Sequence, residues 1–273
     1  MEKNIKMNKQ EKISINGVPE TMLQTMYARA KESKKKNAVI YDAKAVEIVE
    51  KLDYDFALAD KDTAMGSGVI ARTIILDKMV ADYLKKHPDA IVVNIACGLD
   101  TRCYRNEGKY KKWYNIDLED TIHIRSRFMK EEGTVIYQIA ESAMDEGWAE
   151  KIEYTGEPVL VIIEGLTMYL TEEDVVKIFE IIDRKFKKAT VLVEVMSPFV
   201  VKNIKEKSID QSEAKFTWGV KNGKLLADKL PAFTHVADHS LAEGMAVFVP
   251  VYRILKKIPV VANISNKIVI LKK

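Results

Sequence analysis

Three carboxylates follow apolar runs in this chain, at points where hydroxyl and ammonium groups of a ligand could be held. Asp117 closes WYNID, Glu164 follows PVLVII, and Asp100 stands two residues after Gly98 in NIACGLDTR. An ionised carboxylate only accepts hydrogen bonds, so its natural partners are hydroxyls, ammonium groups and amides. Gly98 permits close approach of a ligand to the backbone, and the amides that follow it can face that ligand. Asp117 lies about twenty residues further on, where an acid grips the ribose hydroxyls in dinucleotide folds. Leu118, the next residue, joins the candidate binding set. Each feature also has a plainer role open to it: Gly98 as a tight turn, Asp117 as a helix cap, Asp100 as the anchor of a loop through its own backbone bonds. Glu164 is harder to explain that way, because a charge directly after an apolar run needs a partner when buried.

These residues gain meaning from the elements that carry them. AIVVNIA, WYNID, TVIYQIA, PVLVIIEG, ATVLVEVM, FTHVADHS and NKIVILKK read as seven strands, several apolar throughout and rich in β-branched residues. Helical patterns separate them, most clearly TEEDVVKIFEIIDRKF, where Thr171 and Asp174 form an N-terminal capping signal. The expectation is an α/β fold with a mostly parallel sheet covered by helices on both faces. In such sheets ligands sit beyond the carboxyl ends of the strands, and the three acids stand at those ends. Residues 1–88 read as a helical extension: TMLQTMYARAKES, DAKAVEIVEKL and a third helix from near Gly68 to Leu84, stopped by Pro88. Residues 197–230 are longer and more polar than an ordinary link and suggest a lid or substrate-side insertion. The 273 residues are expected to form one domain.

Composition narrows the classes. Lys and Arg number 43 against 40 Asp and Glu, a net charge of +3, which suits neither a nucleic-acid dock nor an acidic tail. The run Lys34–Lys36 reads as a solvated helix end. Cys97 and Cys103 support neither a disulfide scaffold nor a metal site. The N-terminus has no apolar signal-peptide core, and the apolar stretch from Val247 to Ile264 is broken by Pro250, Arg253, Lys256, Lys257 and Pro259. The expectation is a cytoplasmic protein with a small-molecule acceptor and neither nucleic acid, membrane nor metal as partner.

The glycine pattern separates two nucleoside-bearing cofactors. A dinucleotide site wants GxGxxG to seat a pyrophosphate, whereas ACGLDTR has one glycine and an acid close by. That acid repels a pyrophosphate but suits S-adenosylmethionine, which carries an ammonium and a sulfonium. GxxxxGK[ST] and GxSxG are both missing, against a nucleoside triphosphatase and an esterase.

YARAKES, LDYDF, GSGVIARTIILD, NIACGLDTRCYR, WYNIDLED, SAMDEGW, EGLTMYL and SLAEGM occur in that order from Met22 onward. With them the chain resembles the leucine carboxyl methyltransferase family, and within it the small-molecule O-methyltransferases. GLDTRxxR with EGxxxYL is a specific signature. The resemblance implies the class I methyltransferase fold and S-adenosyl-L-methionine as cofactor. It implies that Arg72 pairs with the cofactor's carboxylate and that Gly98 packs against its methionine part. By the same resemblance Asp117 takes the ribose hydroxyls, Glu164 lies near the amino group, and Arg29 belongs to a basic region that closes over the carboxylate. Two positions depart from the pattern. Ala96 stands where the family often has glycine, and Ser142 where an acid often meets the adenine edge. A hydroxyl there accepts a hydrogen bond more weakly than a charged group.

Other residues carry smaller expectations. Cys97 and the methionines read as core or pocket wall, and Tyr27, Met168, Tyr169, Phe199, Phe216 and Trp218 as walls of an acceptor pocket. His235 and His239 stand as candidate bases near the pocket mouth after the sixth strand. Two other functions fit the same residues: methylation of a peptide C-terminal carboxyl, and binding of the cofactor without catalysis.

Overall fold

The computed structural model describes residues 20–52, 54–129, 135–203 and 215–273. Four helices come first: α1 (Glu20–Ser33), α2 (Ala43–Lys51), α3 (Ala57–Lys61) and α4 (Thr63–Lys86). The third expected helix thus begins a turn earlier than Gly68, because the side chain of Asp62 caps it by accepting from the Met65 amide. Then follow β1 (Ile91–Ile95), α5 (Arg102–Arg105), β2 (Lys112–Asp117), α6 (Glu119–Phe128), β3 (Ile136–Ala140), α7 (Gly147–Glu150) and β4 (Val159–Ile163). The chain continues through α8 (Glu172–Lys185), β5 (Thr190–Val195), α9 (Pro198–Asn203), α10 (Gly223–Ala227) and β6 (Thr234–Ser240). It ends with α11 (Leu241–Phe248), α12 (Tyr252–Leu255), α13 (Pro259–Ile264) and β7 (Lys267–Lys272). Part of the expected insertion, residues 204–214, lies outside the described residues.

All seven expected strands are present, in the order β3-β2-β1-β4-β5-β7-β6, with β7 antiparallel to both its neighbours and the other pairings parallel. β1 and β4 are buried along their whole length, which is why IVVNI and VLVII lack polar alternation. Alternate residues face opposite layers. Val93, Ile95, Val161 and Ile163 pack with Val175, Ile178, Phe179 and Ile182 of α8. Val92, Leu160, Ile162 and Leu192 pack against Ile75, Leu76, Val80 and Leu84 of α4. The Thr171–Asp174 capping box forms as expected at the start of α8. A third apolar cluster joins Leu23, Met26 and Ala30 of α1 to Ala45 and Ile48 of α2 and to Leu99 and Met129, so the N-terminal helices are seated on the loop after β1.

Strand order reverses between β1 and β4: β2 and β3 lie to one side, β5 and the antiparallel pair to the other. A crevice opens beyond the carboxyl ends of strands at such a point. Gly98, Asp100 and Glu164 follow the two central strands there, and Asp117 ends the neighbouring one.

Candidate functional site

The face of the sheet under α4 changes character at its carboxyl edge. Going up each strand by two residues replaces Val92 with Asn94, Trp113 with Asn115, Ile162 with Glu164 and Leu192 with Glu194. Asn94, Asn115 and Glu194 are buried, so four neighbouring strands carry polar groups on the face that α4 covers; Asn94 donates to Asp100, Asn115 accepts from Trp113, and the two glutamates meet Arg72 of α4. Glu164 lies 2.6 Å from Arg72 (Oε1 to Nε) and also pairs with Arg102. Glu194 lies 3.1 Å from Arg72 (Oε2 to Nη1) and accepts the Gly165 amide at 2.9 Å. Arg72 therefore bridges two carboxylates on adjacent strands. Its Nε, buried and close to Glu164, makes no well-directed hydrogen bond there.

The network continues under the loop after β1. Arg102, only 2 % exposed, meets Asp77 at 2.7 Å and Asp100 at 3.2 Å as well as Glu164. Arg105 links Asp77 to Asp42, and Arg29 meets Asp42 at 2.9 Å while donating to the Leu99 carbonyl. One unbroken chain of ion pairs thus contains Arg29, Arg72, Arg102 and Arg105 with Asp42, Asp77, Asp100, Glu164 and Glu194. Burial pushes the Glu164 carboxyl up, but Arg102 and Arg72 outweigh it and hold it below the usual range. Asp100 is likewise held low by its arginines against the cost of burial. Glu194 goes the other way: burial raises it, and the charge of Glu164 works against the help from Arg72.

Gly98 and Asp117 form a second unit. Gly98 has φ +48, and its amide donates to Asp117 Oδ2 at 2.8 Å, while Asp117 Oδ1 accepts from the Leu118 amide. Burial raises the Asp117 carboxyl, opposed by those two amides. Leu118 is 59 % exposed, an apolar side chain directly beside the acid. Met22 of α1 covers Gly98 so closely that a Cβ there would lie 3.2 Å from its Cγ and Sδ. Ala96 adopts φ 52, a left-handed conformation that accounts for glycine being common at that position. Ser142 follows β3 by two residues, next to the Glu141 amide that donates to the Asp117 carbonyl, and its Oγ accepts from the Met144 amide.

The structure brings Arg72, Asp100 and Glu164 into one ion-pair network and joins Gly98 to Asp117 and Leu118 beside it. The plainer roles are also filled: Asp100 accepts from the Arg102 amide as a loop anchor. Arg29 is buried with its guanidinium engaged by Asp42 and Leu99. The two histidines lie within the edge strand β6 and not after it. His235 pairs with Asp238 at 2.9 Å, and His239 with Glu243 at 3.0 Å. Of the expected pocket walls, Met168 accepts through its carbonyl from the amides of Thr217 and Trp218, and Tyr169 meets Phe216, ring to ring, at 5.6 Å. Tyr27 instead lines a separate cleft of about 230 Å³ with Gln24, Met65, Gly66, Ile70 and Phe248. Phe199 is exposed on α9.

Glu194 was not among the residues singled out from sequence, although its signal was present. It sits inside ATVLVEVM, the same placement of a charge in an apolar run that marked Glu164. Arg102 was visible only as part of a motif, and Asp42 and Asp77 gave no sign of their role.

The leucine carboxyl methyltransferase model matches residues 22–183, more than half of the chain. The chain belongs to this family. It is 32% identical to the tetracenomycin polyketide synthesis O-methyltransferase TcmP of Streptomyces glaucescens over 86% of this chain and 87% of that protein. It is 28% identical to the S-adenosyl-L-methionine-dependent methyltransferase dpfgK of Gibberella zeae, over 82% of each. Among solved structures, a Thermobifida fusca protein assigned as a methyltransferase aligns with TM-score 0.58 at 10% identity, covering 90% of this chain and 94% of that one, a likeness of fold alone. As a member of the leucine carboxyl methyltransferase family, the protein is an S-adenosylmethionine-dependent methyltransferase. No helix among the described residues is long and apolar enough to cross a membrane.

Proposed function

We propose that this methyltransferase acts on an oxygen, hydroxyl or carboxyl, of a small and partly apolar metabolite. In this reading Arg72, Gly98, Asp100, Asp117, Leu118, Ser142 and Glu164 form the cofactor site. Arg29 acts one step back, bracing the loop through Asp42 and Leu99.

The charge of the ion-pair network carries the assignment. Its four arginines and five carboxylates sum to −1 when all are ionised. S-adenosylmethionine has two cationic groups and one carboxylate, so its net charge of about +1 complements that network. A pyrophosphate cofactor would add negative charge to it. Arg72 is the basic group at this edge for a cofactor carboxylate, which would share it with Glu164 and Glu194. Asp117 offers its acceptors to hydroxyls, and the exposed Leu118 beside it offers an apolar surface for a base.

When bound, S-adenosylmethionine supplies a methyl group activated by its sulfonium. The protein's own work is then to align the acceptor oxygen and exclude water. Met168, Tyr169, Phe216 and Trp218 supply apolar wall, with Tyr169 close enough to Arg72 for its field to be felt there. The cleft of about 230 Å³ adds room among α1, α3 and α4, and Met65 in its wall lies on the same face of α4 as Arg72, two turns earlier. A cavity of about 150 Å³ accommodates benzene, so this space suits an acceptor of one or two rings. An acceptor carboxylate is already ionised at neutral pH, whereas a phenol gains from a base. Similarity to an O-methyltransferase of polyketide synthesis favours oxygen.

The test is a metabolite extract incubated with the protein and methyl-labelled cofactor, the product being identified by mass. An alkali-labile label identifies an ester and a stable O-methyl group an ether; both fit. An N-methyl or S-methyl product, or transfer only to a peptide C-terminus, would overturn the reading.

A further inference from the structure

The last thirty residues of the chain, Gly244 to Lys273, contain no acid and six bases. Within them lies the densest exposure of apolar side chains in the described structure. Val247, Val251, Ile254, Ile258, Val260 and Ile264 make up six of its twelve exposed large hydrophobics, Ile254 being 69% and Val260 65% exposed. They stand on α11 to α13, three short helices between the antiparallel strands β6 and β7. α13 packs against α9, whose Phe199 extends the surface. Arg253, Lys256 and Lys257 are exposed among these side chains and form no ion pair among the described residues. Scattered exposed hydrophobics need no explanation, but a contiguous set does.

We infer that α11 to α13 form a docking surface for an anionic lipid bilayer. Short helices that carry apolar and basic side chains together gain at such an interface twice, from burial among acyl chains and from attraction to the headgroups. The charge pattern argues against a second copy of the chain as occupant. A two-fold contact sets a patch against itself, bringing Arg253, Lys256 and Lys257 together with Glu243 as the one acid of these helices to offset them, and Glu243 is already engaged by His239. This surface contact does not require a membrane span, and none of the described helices is long and apolar enough to form one. Phe248 lies beside Val247 and lines the cleft, so on the proposed function the surface borders the room for an apolar acceptor.

Sedimentation of the full chain with phosphatidylcholine vesicles, with and without phosphatidylglycerol, tests this. Partition into the anionic vesicles is expected, weakening as salt rises and its Debye length shortens. Lys256→Gln with Lys257→Gln should lower it about 30-fold, each base contributing roughly a factor of five at an anionic surface. Ile254→Ser with Val260→Ser should also reduce it, and both variants should melt and bind S-adenosylhomocysteine like the parent. Failure to sediment with any vesicle at low salt overturns the inference. So does equal binding to neutral vesicles that the lysine changes leave untouched. A dimer in light scattering that Ile254→Ser with Val260→Ser dissociates would give the surface to a second copy instead. None of these readouts depends on the acceptor, so the lipid surface and the proposed reaction can fail separately.

Discussion

Gly244 of α11 lies against the backbone of Ala71, the residue before Arg72. A Cβ added at Gly244 would overlap the Ala71 carbonyl oxygen and lie 2.7 Å from its carbon and 2.8 Å from its Cα. Backbone cannot move aside as a flexible side chain can, so the close crossing of α11 over α4 depends on this glycine and sets where Arg72 stands. Gly244→Ala should lose about 1–3 kcal/mol of stability, the range for overpacking. It should also weaken S-adenosylhomocysteine binding more than a surface change of equal stability cost. Urea unfolding together with calorimetry checks both, and parent-like values in both would refute the role.

Ala96 stores strain at the turn into Gly98. An L-residue at φ 52 is disfavoured, whereas glycine is at ease there. Ala96→Gly should therefore raise stability by about 0.5–1 kcal/mol, even though glycine costs more entropy to order. A lower urea midpoint for the variant would contradict this.

Asp117→Ala should weaken cofactor binding by about 1–3 kcal/mol, and Asp117→Asn by less, since the amide retains one acceptor. The acid also predicts a pH dependence. Burial raises its carboxyl above the ordinary value, so the folded chain takes up this proton more readily than the unfolded one. Its contribution to stability is accordingly present below the unfolded pKa and falls as pH rises through the window between the two. Cofactor hydroxyls donate to the ionised form, so affinity should fall as pH is lowered through the raised value, and Asp117→Asn should flatten that dependence. Calorimetric titrations from neutral to mildly acidic pH measure it.

Glu194→Gln keeps an acceptor for the Gly165 amide and for Arg72, whereas Glu194→Ala leaves both without it. The alanine variant should be destabilised by about 3–5 kcal/mol, the cost of removing one partner from a buried pair. The glutamine variant should lose much less and retain most of its cofactor affinity. Equal losses in the two would show that the charge of Glu194, and not its hydrogen bonds, holds Arg72.

The periodicity of the residues determined the elements. Apolar β-branched runs had to be strands buried on both faces, the Thr171–Asp174 pair had to begin a helix, and Gly98 with Asp100, Asp117 and Glu164 had to stand at strand ends. Those features act over a few neighbouring residues, so they can be read along the chain. Glu194 was legible by the same rule, as a charge inside an apolar strand. The partners of these charges were a different matter. Arg72 lies 92 residues from Glu164 and 122 from Glu194, and Asp42 lies 63 from Arg105. Such pairs form only after α4 has settled on the sheet and α1 on the loop after β1, and nothing local specifies which buried arginine meets which acid. The same holds for His235 and His239, which a linear reading put at the pocket mouth and which the edge strand pairs with Asp238 and Glu243. What the tertiary structure alone decided is the direction of each charge's field. Burial raises a carboxyl and a neighbouring arginine lowers it, and only packing in three dimensions sets which of the two prevails at Glu164, Glu194 and Asp117.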